Sequence, residues 1–209
     1  MATAENPHFF LLASGSGGIR QVKDLKGAEI GISKGTIIEY VADRLLSAHG
    51  LDPAGVTYVS VPKISDRMSL LAAGQLKTAV MPDPLAALAI QQGAKIILHD
   101  AAYPKPGASV LSFRKGYVDR NPRLMKAFLA AVEEAVNRIN RSPSTYKNLL
   151  TEKKIVPPTL ISSYRMPKFP RASVPAESEW KDVLNWAKTK GFLNVDLAYK
   201  DSVNSLFLP

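Results

Sequence analysis

Three stretches of this chain carry side chains that could hold a small ligand. The first is Ser33-Lys34-Gly35-Thr36, which offers two hydroxyls, an ammonium group and a glycine directly ahead of an apolar periodic run. The second is Lys63-Ile64-Ser65, with Arg67 in the next turn. The third is Pro82-Asp83-Pro84, a carboxylate between two prolines. Thr36 and Glu39 have capping-box spacing, so a helix is expected to open at Thr36 with free backbone N–H groups and the positive end of its dipole facing outward. That arrangement suits an anion, a zwitterion or another small polar group. A fourth stretch, Ser14-Gly15-Ser16-Gly17-Gly18, is a flexible turn that lets backbone approach a ligand closely, although its spacing fits neither a phosphate loop nor a dinucleotide loop. Each stretch also has a purely structural explanation. Thr36, Ser65 and Asp83 are good N-caps, and a glycine-rich turn is an ordinary loop. Both readings stay open on spacing alone.

Bond-making chemistry has no visible seat. The sequence contains no Gly-x-Ser-x-Gly elbow, no Walker loop and no paired carboxylates, and Asp83, the lone acid–base candidate, is better suited to capping. With no cysteine and with His8, His49 and His99 scattered, no metal site and no cofactor are expected.

The elements that would position these residues alternate. Apolar strands are expected at His8–Ala13, Ile30–Ser33, Val56–Val61, Lys77–Met81, Lys95–His99 and Ala108–Phe113. Helices are expected over Ile37–His49, Asp66–Ala73 and from Pro84 to Gly93, with Asp83 as N-cap of the last. Strands joined by single helices predict a parallel sheet with right-handed crossovers, whose ligand rim lies beyond the carboxyl ends of the strands. Ala101–Gly107 reads as a loop. Beyond Gly116 the pattern changes. Asn121-Pro122 opens the longest helix, to Ile139, with Leu124, Phe128, Val132, Ala135 and Ile139 on one face. Further helices are expected over Ser142–Glu152, after Pro157-Pro158 and over Ala176–Lys190, separated by a proline-rich extended connection at Arg165–Pro175. A helical tail of this kind usually covers a sheet, and none is left in the sequence for it to cover.

The 209 residues are enough for one large domain or two small ones, with 46% hydrophobic and 22% charged residues and a net charge of +9. The basic residues are spread along the chain and often sit beside acids, which argues against a nucleic-acid partner. No apolar run is long enough to span a membrane. Met1–Pro7 shows no basic stretch followed by an apolar one, which fits a mature or trimmed chain or a protein that stays inside the cell.

Several of these pieces, in this order and spacing, resemble the substrate-binding proteins of ABC importers, in the nitrate/sulfonate/taurine and thiamine-pyrimidine-precursor branch. They are Asp24-Leu25-Lys26-Gly27, Ile30-Gly31-Ile32-Ser33, Thr36-Ile37-Ile38-Glu39-Tyr40, Gly50-Leu51-Asp52-Pro53, Val61-Pro62-Lys63-Ile64, Leu70-Leu71-Ala72-Ala73-Gly74-Gln75, Met81-Pro82-Asp83-Pro84, Gly93-Ala94-Lys95, Phe113-Arg114-Lys115 and Phe207-Leu208-Pro209. The resemblance implies a type II periplasmic-binding-protein fold, α/β throughout, with two lobes, a hinge and the ligand between them. It assigns residues 8–116 to the parallel-sheet second lobe with its crossover strands. Residues 117–209 become helices of a first lobe whose opening elements are missing from the sequence. Its implied contacts are the Ser14, Gly15, Ser16 and Gly17 turn, Ser33, Gly35 and Thr36, the Lys63-Ile64 loop and Asp83. Family members commonly carry Glu where Asp83 stands.

The function it implies is capture of a small nitrogen- or sulfur-containing solute and delivery to an ABC permease, in the periplasm or on a lipid anchor outside the membrane. An enzyme on the same architecture, of the pyrimidine-precursor or menaquinone pathways, is the rival reading, and a sensory module is the third. The unpartnered helices are expected to fold back on the sheet lobe or to exchange in a homodimer.

Overall fold

The computed structural model describes residues 9–100 and 109–209; the expected loop Ala101–Gly107 and the opening Met1–Pro7 lie outside the described residues. The described chain divides into two compact units. One holds residues 9–100 together with Leu150–Tyr164; the other holds residues 109–149 and Arg165–Pro209.

The first unit is built on a five-stranded sheet. Its strands are β1 (Phe9–Ala13), β2 (Glu29–Ile32), β3 (Thr57–Ser60), β4 (Thr78–Pro82) and β5 (Lys95–His99), in the order β3-β2-β4-β1-β5. The sheet is mixed. β2 runs parallel to β3 and β4, but β1 is antiparallel to both β4 and β5. The expected all-parallel sheet is thus corrected at one strand. Phe9-Phe10-Leu11-Leu12-Ala13 is buried on both faces and so reads as an inner strand; nothing in such a run sets its direction.

Three helices connect the strands: α1 (Ile37–Ala48), α2 (Ile64–Ala72) and α3 (Leu85–Gln91). Leu71 of α2 and Ala86 and Ala89 of α3 pack with Leu12, Ala79 and Met81 of the sheet. α1 meets β1 and β4, and its buried Val41, Leu45 and Leu46 lie outside that cluster. At Gly31 of β2, a Cβ would come within 2.7 Å of Leu76 Cδ1, so a larger residue there would require the Leu76 side chain to shift. Val156 and Leu160, from the later segment of this unit, are buried as well.

The second unit is helical: α4 (Lys115–Arg120), α5 (Pro122–Arg141), the opening part of α6 (Lys147–Glu152), α7 (Glu177–Thr189) and α8 (Tyr199–Ser202). The strand expected over Ala108–Phe113 does not form among the described residues. Val110 alone makes a bridge, and α4 follows at once. The proline-rich connection is tied to α5 by side chains. Asn140 exchanges two hydrogen bonds with the Phe169 backbone, at 2.8 and 2.9 Å, and Glu133 accepts from Ala172 N at 2.6 Å and Arg171 Nε at 2.9 Å. No described helix is long and apolar enough to cross a membrane.

Candidate functional site

The carboxyl ends of β2, β3 and β4 reach one edge of the sheet, and two of the three sequence-marked stretches are bound together there by a single side chain. Thr36 caps α1: its Oγ1 accepts from Ile38 N at 3.2 Å and donates to Ser33 O at 2.7 Å. Glu39 completes the turn one residue further back than a capping box predicts, accepting from Gly35 N at 2.7 Å. Gly35 has φ +70°, a left-handed turn that glycine adopts without strain. Glu39 is itself buried, so this carboxylate is part of the wall beneath the exposed Lys34, Gly35 and Thr36.

Arg67 lies at the centre. Its side chain is fully buried. Nε donates to Val61 O at 3.0 Å, Nη1 to Val80 O at 2.5 Å, and Nη2 to Ser33 Oγ at 2.5 Å and Pro62 O at 3.4 Å. One guanidinium therefore joins the carboxyl ends of β2 and β3 to the middle of β4. Ser33 Oγ donates in turn to Pro62 O at 3.0 Å, which fixes its hydroxyl proton away from the open edge. Burial pulls the Arg67 pKa down to about 10, and the group remains charged at neutral pH.

The other expected contacts are placed as follows. Lys63 is exposed and pairs with Asp66 at 3.1 Å. Ile64 packs against the core cluster, so its side chain faces inward. α2 opens without a side-chain cap, leaving the N–H groups of Ile64, Ser65 and Asp66 without intrahelical acceptors at this edge. Asp83 follows β4 at the same edge and is half-buried. It does not cap α3; Pro84 holds the N-cap position, without a side-chain cap bond.

Ser14, Gly15, Ser16 and Gly17 are not brought to this edge. Because β1 is antiparallel, Ala13 pairs with Thr78 and Lys95, at the amino ends of β4 and β5, and Ser14 N donates to Lys77 O at 2.9 Å. The turn lines a separate small cavity of about 200 Å³ with Leu71, Ala89, Gln92 and Gly93. Ser14 and Ser16 bond to each other there, Oγ to Oγ at 3.1 Å.

The sequence marks Arg67 as a ligand contact at the rim and Glu39 only as a cap, whereas both side chains are buried.

Among the described residues, no group of three or more His, Cys, Asp or Glu side chains could hold a metal ion. Among the described residues, the Ser33 and Thr36 hydroxyls bond to backbone groups and to Arg67, with no histidine or carboxylate partner. The polar groups at this edge are backbone N–H groups, the ammonium groups of Lys34 and Lys63, the carboxylates of Asp66 and Asp83, and one buried cation beneath.

Residues 16–151 match the model of the NMT1-like family, and the chain belongs to that family. No curated protein sequence matches it. Among solved structures it is similar to the periplasmic aliphatic sulphonate binding protein SsuA from Escherichia coli, with a TM-score of 0.80 and 18% identity over 97% of this chain and 71% of that one. It is similar to the alkanesulfonate-binding protein SsuA from Xanthomonas axonopodis pv. citri bound to MOPS, with a TM-score of 0.72 and 20% identity over 92% of this chain and 66% of that one. It is also similar to the desulfurization enzyme DSZB, with a TM-score of 0.74 and 16% identity over 99% of this chain and 76% of that one. The chain thus spans about two thirds of the length of the sulfonate-binding structures. These likenesses establish a periplasmic-binding-protein fold, α/β with a mixed sheet.

Proposed function

We propose that this member of the NMT1-like family is the solute-binding component of an ABC importer, acting outside the cytoplasmic membrane, and that its solute is a small organosulfonate. The whole protein would enclose the solute and deliver it to a membrane permease. The observation that carries the reading is the edge beyond β2 and β3. Lys34 is exposed there, the first N–H groups of α2 lack intrahelical acceptors, and a buried guanidinium lies beneath, while Lys63 is already paired with Asp66. The first three favour a negative group. The fold shared with two sulfonate-binding proteins supports sulfonate over the other anions of the branch. Asp83 at the same edge would suit the ammonium end of a zwitterion such as taurine, while nitrate and thiamine-pyrimidine precursors use less of this arrangement.

Calorimetry against alkanesulfonates, taurine, nitrate and an aminopyrimidine tests the reading. We expect a sulfonate to bind with a Kd of roughly 1 μM or tighter, about −8 kcal/mol. Silence across the panel from folded protein would overturn it.

The fold shared with DSZB favours one rival, an enzyme acting on organosulfur compounds. The sequence has no cysteine, and the two rim hydroxyls are committed to backbone partners and Arg67. Release of inorganic sulfite from a bound sulfonate or sulfinate would establish the rival; its absence alongside binding would leave capture as the function.

A further inference from the structure

Among the described residues, the wall of the rim contains a buried cation to which no carboxylate is bonded, although the Glu39 carboxylate lies in the same wall. Arg67 is fully buried, and its four hydrogen bonds go to three backbone carbonyls and one hydroxyl, with no carboxylate among them. Burying an unpaired guanidinium is costly, and tying strand ends together does not require a full charge. The charge also lies next to open surface. Ser33, bonded directly to Nη2, is followed immediately by the exposed Lys34, Gly35 and Thr36.

We infer that Arg67 is a positioning and specificity residue for an anion at this rim: its fixed charge, bonded to none of the nearby carboxylates of Glu39, Asp66 and Asp83, makes the edge prefer a negative ligand over a neutral one of the same shape. The inference deepens the proposed function and rests on that reading only for the identity of the natural solute. Arg67 touches no ligand, because it is sealed beneath Ser33 and the strand ends. It acts through the field, and through Ser33, whose hydroxyl it locks against Pro62. Its burial is settled before any ligand arrives, so binding requires no reorganisation of the cation. Two unit charges about 6–10 Å apart, at an effective dielectric of about 20, would give the anion a preference on the order of tenfold to a hundredfold.

The experiment uses methanesulfonate and its neutral counterpart dimethyl sulfone, titrated into ¹⁵N-labelled protein. The amides of Lys34–Ile37 and Ile64–Asp66 are the reporters. Wild type should respond to methanesulfonate at least tenfold more strongly than to the sulfone. Arg67→Gln should bring the ratio to within about threefold, and Arg67→Lys should restore most of it. A purely structural role would lower stability in both variants and leave the ratio of the folded protein unchanged, which would overturn the inference. So would wild-type rim amides that ignore methanesulfonate. If Arg67→Gln does not fold, Arg67→Lys and Ser33→Ala decide. Both keep a buried cation and must keep the preference; its loss in both overturns the inference.

The two claims fail separately. If larger organosulfonates bind no better than methanesulfonate while the Arg67-dependent preference persists, the solute-capture reading falls and the inference stands. If a sulfonate binds tightly and equally to wild type and Arg67→Gln, the reverse holds.

Discussion

The two units use apolar residues in opposite ways. In the sheet unit, Leu11, Leu12, Ile30, Ile32, Leu45 and Leu46 are completely buried. In the helical unit, α5 carries two apolar stripes. Met125, Leu129 and Val136 are buried, while Leu124 and Phe128, one position before the first two, are exposed at 52% and 42%. Further along, Phe192, Val195, Leu197 and Leu206 are exposed too. A sheet with helices packed on it satisfies its own backbone and buries its own apolar faces. Helices satisfy their backbone alone but need something else to cover each apolar stripe. The unit that carries the rim is therefore self-sufficient in its core, and the helical unit presents apolar surface of the kind that partners cover.

This contrast can be broken in graded steps. The largest effect is expected in the sheet. Leu12→Ala should cost about 2–5 kcal/mol, read from denaturant midpoints, because the side chain is fully enclosed. A loss under 1 kcal/mol would contradict the close packing described for β1. Next comes Gly31→Ala, expected to cost about 1–3 kcal/mol through overpacking against Leu76. Thr36→Ala removes the α1 cap and should cost about 1 kcal/mol, with faster amide exchange at Ile38.

In the helical unit, Glu133→Gln should cost about 1 kcal/mol by weakening the bonds to Ala172 and Arg171. Burial pushes the Glu133 carboxyl up, but the Ala172 N–H, Arg171 and Asn137 outweigh it and hold its pKa below the ordinary value. A depressed folded-state pKa stabilises above the unfolded value of about 4.3 and loses that contribution as pH falls through the folded one. Wild type should therefore lose more stability than Glu133→Gln between about pH 5 and the acid limit, and parallel curves would dismiss the tether. The smallest effect is Leu124→Ser, at the more exposed position of the stripe, within about 0.5 kcal/mol. A loss above 1.5 kcal/mol would mean that this stripe is covered.

The same contrast explains what could be read from sequence. Period and punctuation located five of the six expected strands and the main helices, because a buried strand and an amphipathic helix are local patterns. The Thr36 cap was legible for the same reason. Strand direction was not: Phe9–Ala13 looks identical in either orientation, and with β1 reversed the Ser14–Gly17 turn moves to the far edge. On α5, a reading that joined Leu124 and Phe128 to Val132, Ala135 and Ile139 mixed two adjacent stripes: the first two are exposed, whereas Val132 and Ile139 are half-buried. Asp83 before Pro84 has the composition of a cap, yet Pro84 occupies that place. Arg67 was legible as a cation near the rim but not as a buried one, because burial of a charge depends on three strands meeting from across the chain.

β1 also has a consequence in time. It lies inside the sheet, yet its partners are made late: Ala13 waits for Thr78 and then for Lys95, 82 positions on. At about 5–20 residues per second, a ribosome needs roughly 4–16 s to supply that last partner. For that interval Phe-Phe-Leu-Leu-Ala is an uncharged, apolar segment with both edges open, the composition that aggregates or recruits a chaperone. An inner strand of the finished sheet is thus the most vulnerable piece of the nascent one.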